Sequence, residues 1–203
     1  MTKKANTTEA PSVTSHVRRI AVTLEGVPPG LIFQGKGLMA ASAKEGAKKV
    51  KPRGAAEEAK LHAHWMKERG KEVLCIPWVM LYQSFCTAAN GFKFKGQKTL
   101  GSIVAATIAC ESDRISLGTD QFETYEEWVK IPPRTGAMVM IGRPRLRTWS
   151  VNFVIVMDDE LYGADGLQKV IEHAGKIIGI GAWRAEKRGP YGRFTLKQFE
   201  ILE

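Results

Sequence analysis

The chain has 203 residues, 44% hydrophobic and 25% charged, and its 30 Lys+Arg against 21 Asp+Glu leave a formal net charge of +9. A chain of this size buries roughly 70% of its unfolded surface, so it folds without staples and is no disordered polyelectrolyte. Three scattered cysteines, Cys75, Cys86 and Cys110, form no CxxC pair, which excludes a disulfide framework or a thiolate zinc domain and predicts reduced thiols in a cytoplasmic setting.

Residues 1–17 are polar and read as a disordered tail without the apolar centre of a signal peptide, and no later run approaches the about 18–20 apolar residues of a membrane span. Arg18 to Glu25 alternates Ile20, Val22 and Leu24 with polar neighbours, the period of a half-buried strand, and Gly26-Val-Pro-Pro-Gly30 ends it with turn chemistry. From Leu31 to Lys71 Gly, Ala and Lys dominate. This stretch predicts an exposed, mobile insertion with one short helix, Ala55 to Arg69, that orders on a partner. Ile76-Pro77 begins a helix whose Val79, Tyr82, Phe85, Cys86 and Ala89 recur at helical spacing, and Asn90-Gly91 stops it. Ile103 to Ile108 and Arg114 to Leu117 read as strands. Residues 120–149 read as a hairpin arm turning at Pro132 to Gly136. Ser150 to Met157 reads as a buried strand. Ala164 to Lys176 is an amphipathic helix with Leu167, Val170, Ile171 and Ala174 on one face, and Gly192 to Leu202 is a final strand with an irregularity at Gln198. The order is β-α-β-β-α-β, a ferredoxin-like α+β palm over residues 18–203, with insertions at about 31–73 and 118–149.

The positive charge is segregated. Lys36 to Lys71 holds ten basic residues against four acids, Lys130 to Arg147 holds no acid, and Arg184 to Lys197 holds only Glu186, whereas Glu111 to Glu127 is net acidic. Blocks of this kind point to an anionic partner, most often nucleic acid. In the first block Lys48, Lys49, Lys51 and Arg53 are the candidate phosphate contacts. In the second, Arg143, Arg145 and Arg147 alternate, so in an extended segment they share one face about 6–7 Å apart, near the phosphate spacing of an extended strand, with Trp149 as a stacking face.

The third block is the most specific. Gly179-Ile-Gly181-Ala-Trp183-Arg184-Ala-Glu-Lys187-Arg188-Gly189-Pro-Tyr191-Gly192-Arg193-Phe194 interleaves glycines, cations and aromatics between a helix and a strand. Glycine lets another backbone approach, the cations neutralise phosphates and Trp183 or Tyr191 can stack on bases. It is neither a P-loop, since no Gly-Lys-Ser/Thr follows, nor a dinucleotide fingerprint, since its helix precedes it.

This pattern resembles the C-terminal glycine-rich loop of the RAMP superfamily of CRISPR-associated proteins. Ile76-Pro77-Trp78-Val79-Met80-Leu81-Tyr82-Gln83-Ser84-Phe85 is similar to that family's I-P-G-S-S-Φ-K-G helix start, with Trp78 in place of glycine and Gln83-Ser84 in place of Lys-Gly. The resemblance implies a backbone subunit that polymerises along guide RNA, a hand-like palm with inserted thumb or fingers, either as a CRISPR component or as a diverged relative encoded by a phage or mobile element.

Catalytic signals are weak. His62 and His64 stand two apart, His16 lies in the tail and His173 lies off the apolar face of its helix; no ligand spacing completes a zinc site. Asp158-Asp159-Glu160 reads as a solvated turn rather than a magnesium site. His16, His62, His64 and Tyr82 are the candidates if the chain is instead a metal-independent ribonuclease of the same superfamily. The sequence thus predicts no cofactor, no catalytic residue and no metal. It predicts sequence-independent binding of single-stranded RNA, favoured over DNA, by a head-to-tail homo-oligomer. The alternatives are that ribonuclease and a phage structural or scaffold protein.

Overall fold

The structure is a computed structural model and describes residues 16–34, 54–94, 96, 99–130 and 138–202. Lys48, Lys49, Lys51, Arg53, the turn at 132–136 and the tail before residue 16 lie outside the described residues.

The fold is α+β. Strand β1 (Val17–Gly26) is the centre of a four-stranded antiparallel sheet. It pairs on one side with β9 (Ser150–Asp158) and on the other with β10 (Phe194–Leu202), and β5 (Ile108–Cys110) adds to β9, giving the order β10-β1-β9-β5. The alternation of Ile20, Val22 and Leu24 against Val151, Phe153, Ile155 and Met157 puts every one of these side chains on the buried face. The ladder slips once in β10: Thr23 faces Gln198 but Leu24 faces Leu196, leaving Lys197 as the extra residue of a bulge beside the predicted irregularity.

Helices close the buried face. Between β1 and β5 lie α2 (Trp78–Ala89) and α3 (Gly101–Thr107), and between β9 and β10 lies α4 (Ala164–His173). In α2, Leu81, Phe85, Ala88 and Ala89 recur at i, i+4, i+7 and i+8 and are buried. Each large apolar side chain on such a stripe stabilises the fold by about 1.5–3 kcal/mol. Val79, expected on this face, is instead 53% exposed. Phe85 packs edge-to-face on Phe194 and Trp78 packs against Phe153, joining helix to sheet. Leu167, Val170, Ile171 and Ala174 all reach the core as expected.

Two expectations are corrected. The apolar run Ile103 to Ile108 is not a strand: it is α3, with Val104 buried, and only Ile108 begins β5. A short apolar run of this length has no period that separates a buried strand from a buried helical turn. The helix expected at 55–69 is α1 (Ala55–His62) only, and the chain then forms the hairpin of β3 (Trp65–Glu68) and β4 (Lys71–Pro77), with β6 (Arg114–Ser116) beside β4. Arg69 and Gly70, both at positive φ, make the two-residue turn whose twist suits a hairpin.

A third sheet orders β2 (Leu31–Ile32), β8 (Met138–Leu146) and β7 (Glu123–Lys130) as β2-β8-β7. Leu31, Ile32 and Phe33 have no exposed surface, so the start of the presumed insertion is core. Helix α1 lies across β8 at Gly142, whose amide donates to Glu58 Oε2 at 3.1 Å. A side chain at Gly142 would collide with the Ala55 carbonyl, so the crossing requires glycine there.

Candidate nucleic-acid interface

After α4 the chain makes one π-helical turn, Ala174–Ile178, and enters the glycine-rich loop at Gly179, whose amide donates to the Ala174 carbonyl at 2.8 Å. The loop is framed by backbone hydrogen bonds. Ile180 N–H donates to the Gly192 carbonyl at 2.9 Å, Gly192 N–H to Gly30 at 2.8 Å and Ala182 N–H to Ile32 at 2.8 Å. The buried Ser84 hydroxyl of α2 donates to the Gly179 carbonyl at 3.0 Å, tying the helix to the loop. Gly192 sits at φ 72° with the Ile180 carbonyl where a Cβ would be, so no other residue fits without moving the frame.

Between Gly181 and Gly192 the chain makes an excursion. Trp183 is held at φ 50° and is 47% exposed. A short 3-10 turn at Ala185–Lys187 folds Arg184 onto Glu186, with Nη2 at 2.6 Å and Nε at 2.8 Å from the same oxygen. Lys187 Nζ lies 3.8 Å from Glu186. Arg188 and Arg193 are exposed and make no ion pair among the described residues.

The hairpin β7–β8 stands against this loop. Glu123 is opposite Arg145 and Tyr125 is opposite Arg143. Arg145 Nη2 and Arg147 Nε each lie 2.6 Å from a Glu123 oxygen, and Arg143 Nε lies 3.3 Å from Glu127 Oε2. Glu127 Oε1 accepts from Trp183 Nε1 at 2.7 Å, and the Tyr125 and Tyr191 rings meet edge-to-face at 5.9 Å. The arginine block and the glycine-rich loop, some forty residues apart, therefore form one surface. Arg147 and then Arg145 hold the Glu123 carboxyl below its ordinary range, while burial, followed by Tyr191 and Glu127, pushes the Tyr125 phenol up.

Arg143, Arg145 and Arg147 share a face as the alternation predicted, but each faces a carboxylate. Glu123, Tyr125 and Glu127 were missed. Their own alternation, mirroring that of the arginines across the turn, is the signal that finds them. Trp149 is corrected outright: it is 6% exposed, packs edge-to-face on Phe194 at 6.2 Å and lies over Gly26, so it is a core ring and offers no stacking face. Trp183 and Tyr191 flank the loop, the first half-exposed and the second partly buried. Of the histidines, His62 is buried, His64 packs against Phe33, and His173 packs against Phe92. Among the described residues no three His, Cys, Asp or Glu side chains gather as a metal site.

A cleft of about 380 Å³ runs between α2 and the loop, walled by Met80, Gln83, Thr87, the backbone at 178–181, Arg184 and Gln34. Cys86 also borders it, and burial raises that thiol above its ordinary value, so it is a neutral wall rather than a thiolate.

No protein-family model and no curated protein matches the chain. Among solved structures, a chain from the "Cryo-EM structure of the Type III-B Cmr-beta bound to cognate target RNA" is similar, with a TM-score of 0.54 and 11% identity over 92% of this chain. The match covers 61% of that longer chain. The likeness is one of fold.

Proposed function

We propose that this chain is a binding subunit for single-stranded nucleic acid, RNA in preference to DNA, that assembles head to tail along the strand and does not read its sequence. The sheet order β10-β1-β9-β5, with helices between β1 and β5 and between β9 and β10, supports a ferredoxin-like palm. On this reading 31–73 and 118–149 are insertions into the palm, and the likeness to a chain of an RNA-bound CRISPR complex supports a RAMP-type relationship.

One observation carries the proposal: the hairpin and the glycine-rich loop meet through Glu127–Trp183 and Tyr125–Tyr191, which leaves Lys187, Arg188 and Arg193 exposed on the same loop as a half-exposed tryptophan. Cations that follow a backbone next to aromatic faces are what sequence-tolerant single-strand binding needs. Head-to-tail contacts between unlike surfaces of successive subunits propagate into open assemblies. The reading is one of binding without catalysis or cofactor.

Fluorescence anisotropy with labelled single-stranded RNA tests it. Three phosphate contacts on a single strand predict a roughly 20-fold loss of affinity between about 50 and 200 mM salt. Sedimentation with RNA of increasing length gives masses that rise in subunit steps. An affinity flat in salt overturns the reading, and a cut strand recovered from chelator would assign the chain to RNA processing instead.

A further inference from the structure

The cleft between α2 and the glycine-rich loop differs in chemistry from the cations around it. Its arginine is already occupied: Arg184 donates to Glu186 through Nη2 and Nε and to the Gly181 carbonyl through Nη1 at 3.3 Å. Glu186 lines the same cleft, so these two formal charges cancel. The other polar walls are neutral. Gln34, Gln83 and Thr87 are exposed, and their side chains make no hydrogen bond among the described residues. Met80 adds a half-buried apolar flank. A phosphate here would have to break the Arg184–Glu186 pair and then face the freed carboxylate. An uncharged planar group with donors and acceptors on its edge meets no such penalty.

We propose that this cleft receives one unstacked nucleobase of the bound strand, its edge hydrogen-bonded by Gln34 and Gln83, while the phosphates stay outside on Lys187, Arg188 and Arg193. The inference rests on the single-strand binding proposed above and deepens it. An amide carries a donor and an acceptor and can turn over to suit either pattern, so the cleft senses that a base is present without fixing which. That keeps it compatible with binding that ignores sequence. The cavity volume lies within the range of small-ligand sites.

The test compares two labelled strands of about 16 nucleotides. One is complete RNA; the other is a tetrahydrofuran-spacer strand that keeps every phosphate and lacks every base. The wild-type chain binds the complete strand about tenfold more tightly, through the cleft and through stacking on Trp183 or Tyr191. Gln83→Ala separates the two sources: it weakens the complete strand about fivefold, leaves the spacer strand unchanged and does not alter the salt slope. Gln83 is exposed, and coincident thermal unfolding of the variant confirms an intact fold. Arg188→Ala weakens both strands alike. If wild type binds both strands equally, or if Gln83→Ala weakens both equally, the base cleft is wrong while single-strand binding stands. If neither strand binds, both proposals fall.

Discussion

Arg143, Arg145 and Arg147 on the hairpin and Lys187, Arg188 and Arg193 in the loop are three cations each, in segments that look equally basic. On the hairpin every guanidinium faces a carboxylate delivered by the partner strand, and one of those carboxylates, on Glu123, serves two arginines at once. Of these three loop cations only Lys187 has an acid nearby among the described residues, at 3.8 Å, while Arg188 and Arg193 are exposed. A basic block is therefore a binding surface only to the extent that its own sheet does not neutralise it. The hairpin arginines lock the hairpin; Arg188 and Arg193 remain available.

The largest effect comes from removing the frame of the free cations. Gly192→Ala places a methyl on the Ile180 carbonyl at positive φ, so it destabilises by about 2–4 kcal/mol and abolishes RNA binding. Thermal unfolding and anisotropy read both. Next, Arg188→Ala combined with Arg193→Ala flattens the salt slope by about 1.4 and weakens binding about tenfold near 0.15 M salt, whereas Arg143→Ala leaves the slope where it was. Equal slopes for the two variants would erase the distinction between the regions.

Glu123→Gln converts one region into the other. Freed from their shared carboxylate, Arg145 and Arg147 raise affinity about threefold and steepen the salt dependence. In the wild type, Arg147 and Arg145 depress the Glu123 pKa, so the clamp is fully present above the ordinary carboxylate range and is lost as pH falls through the depressed value. Salt slopes are thus constant from about pH 6 to 8 and steepen only in acid below the usual glutamate range. The smallest effect is the sharpest control: Trp149→Phe keeps RNA affinity within about twofold, because that ring is core and never meets the strand.

The four-stranded sheet and its helices were legible where a period runs long enough to declare itself. Ile20, Val22 and Leu24 in β1, the buried alternation of β9 and the Leu167–Val170–Ile171 stripe of α4 each repeat one signal several times. Ile103 to Ile108 was misread because it is short and apolar but for Thr107, which leaves no period to read. Leu31 to Phe33 was missed because its burial depends on Leu31 and Ile32 pairing with Leu146 and Arg145, a register set by distant chain. In the site, the glycine-rich loop was legible as composition, and the alternating arginines as a face. Their neutralisation was not, because Glu123 and Glu127 lie on the neighbouring strand and only strand pairing sets the distance. Trp149 follows the arginines in sequence, and that adjacency concealed a ring turned inward onto Phe194.

The position of β1 governs how the chain is made. Both of its neighbours, β9 and β10, come from residues 150–202, and its pairing with β10 runs from Arg19 with Leu202 to Gly26 with Phe194. While the chain emerges from the ribosome, β1 therefore waits with both edges bare until residues 150–202 have been made. Its large apolar residues Ile20, Val22 and Leu24 are spaced rather than adjacent, and Arg18 and Arg19 stand near its start, the placement that discourages a waiting strand from pairing with another nascent chain. Part of the chain's positive charge is thus useful before any partner is met, in keeping β1 single until β9 and β10 arrive.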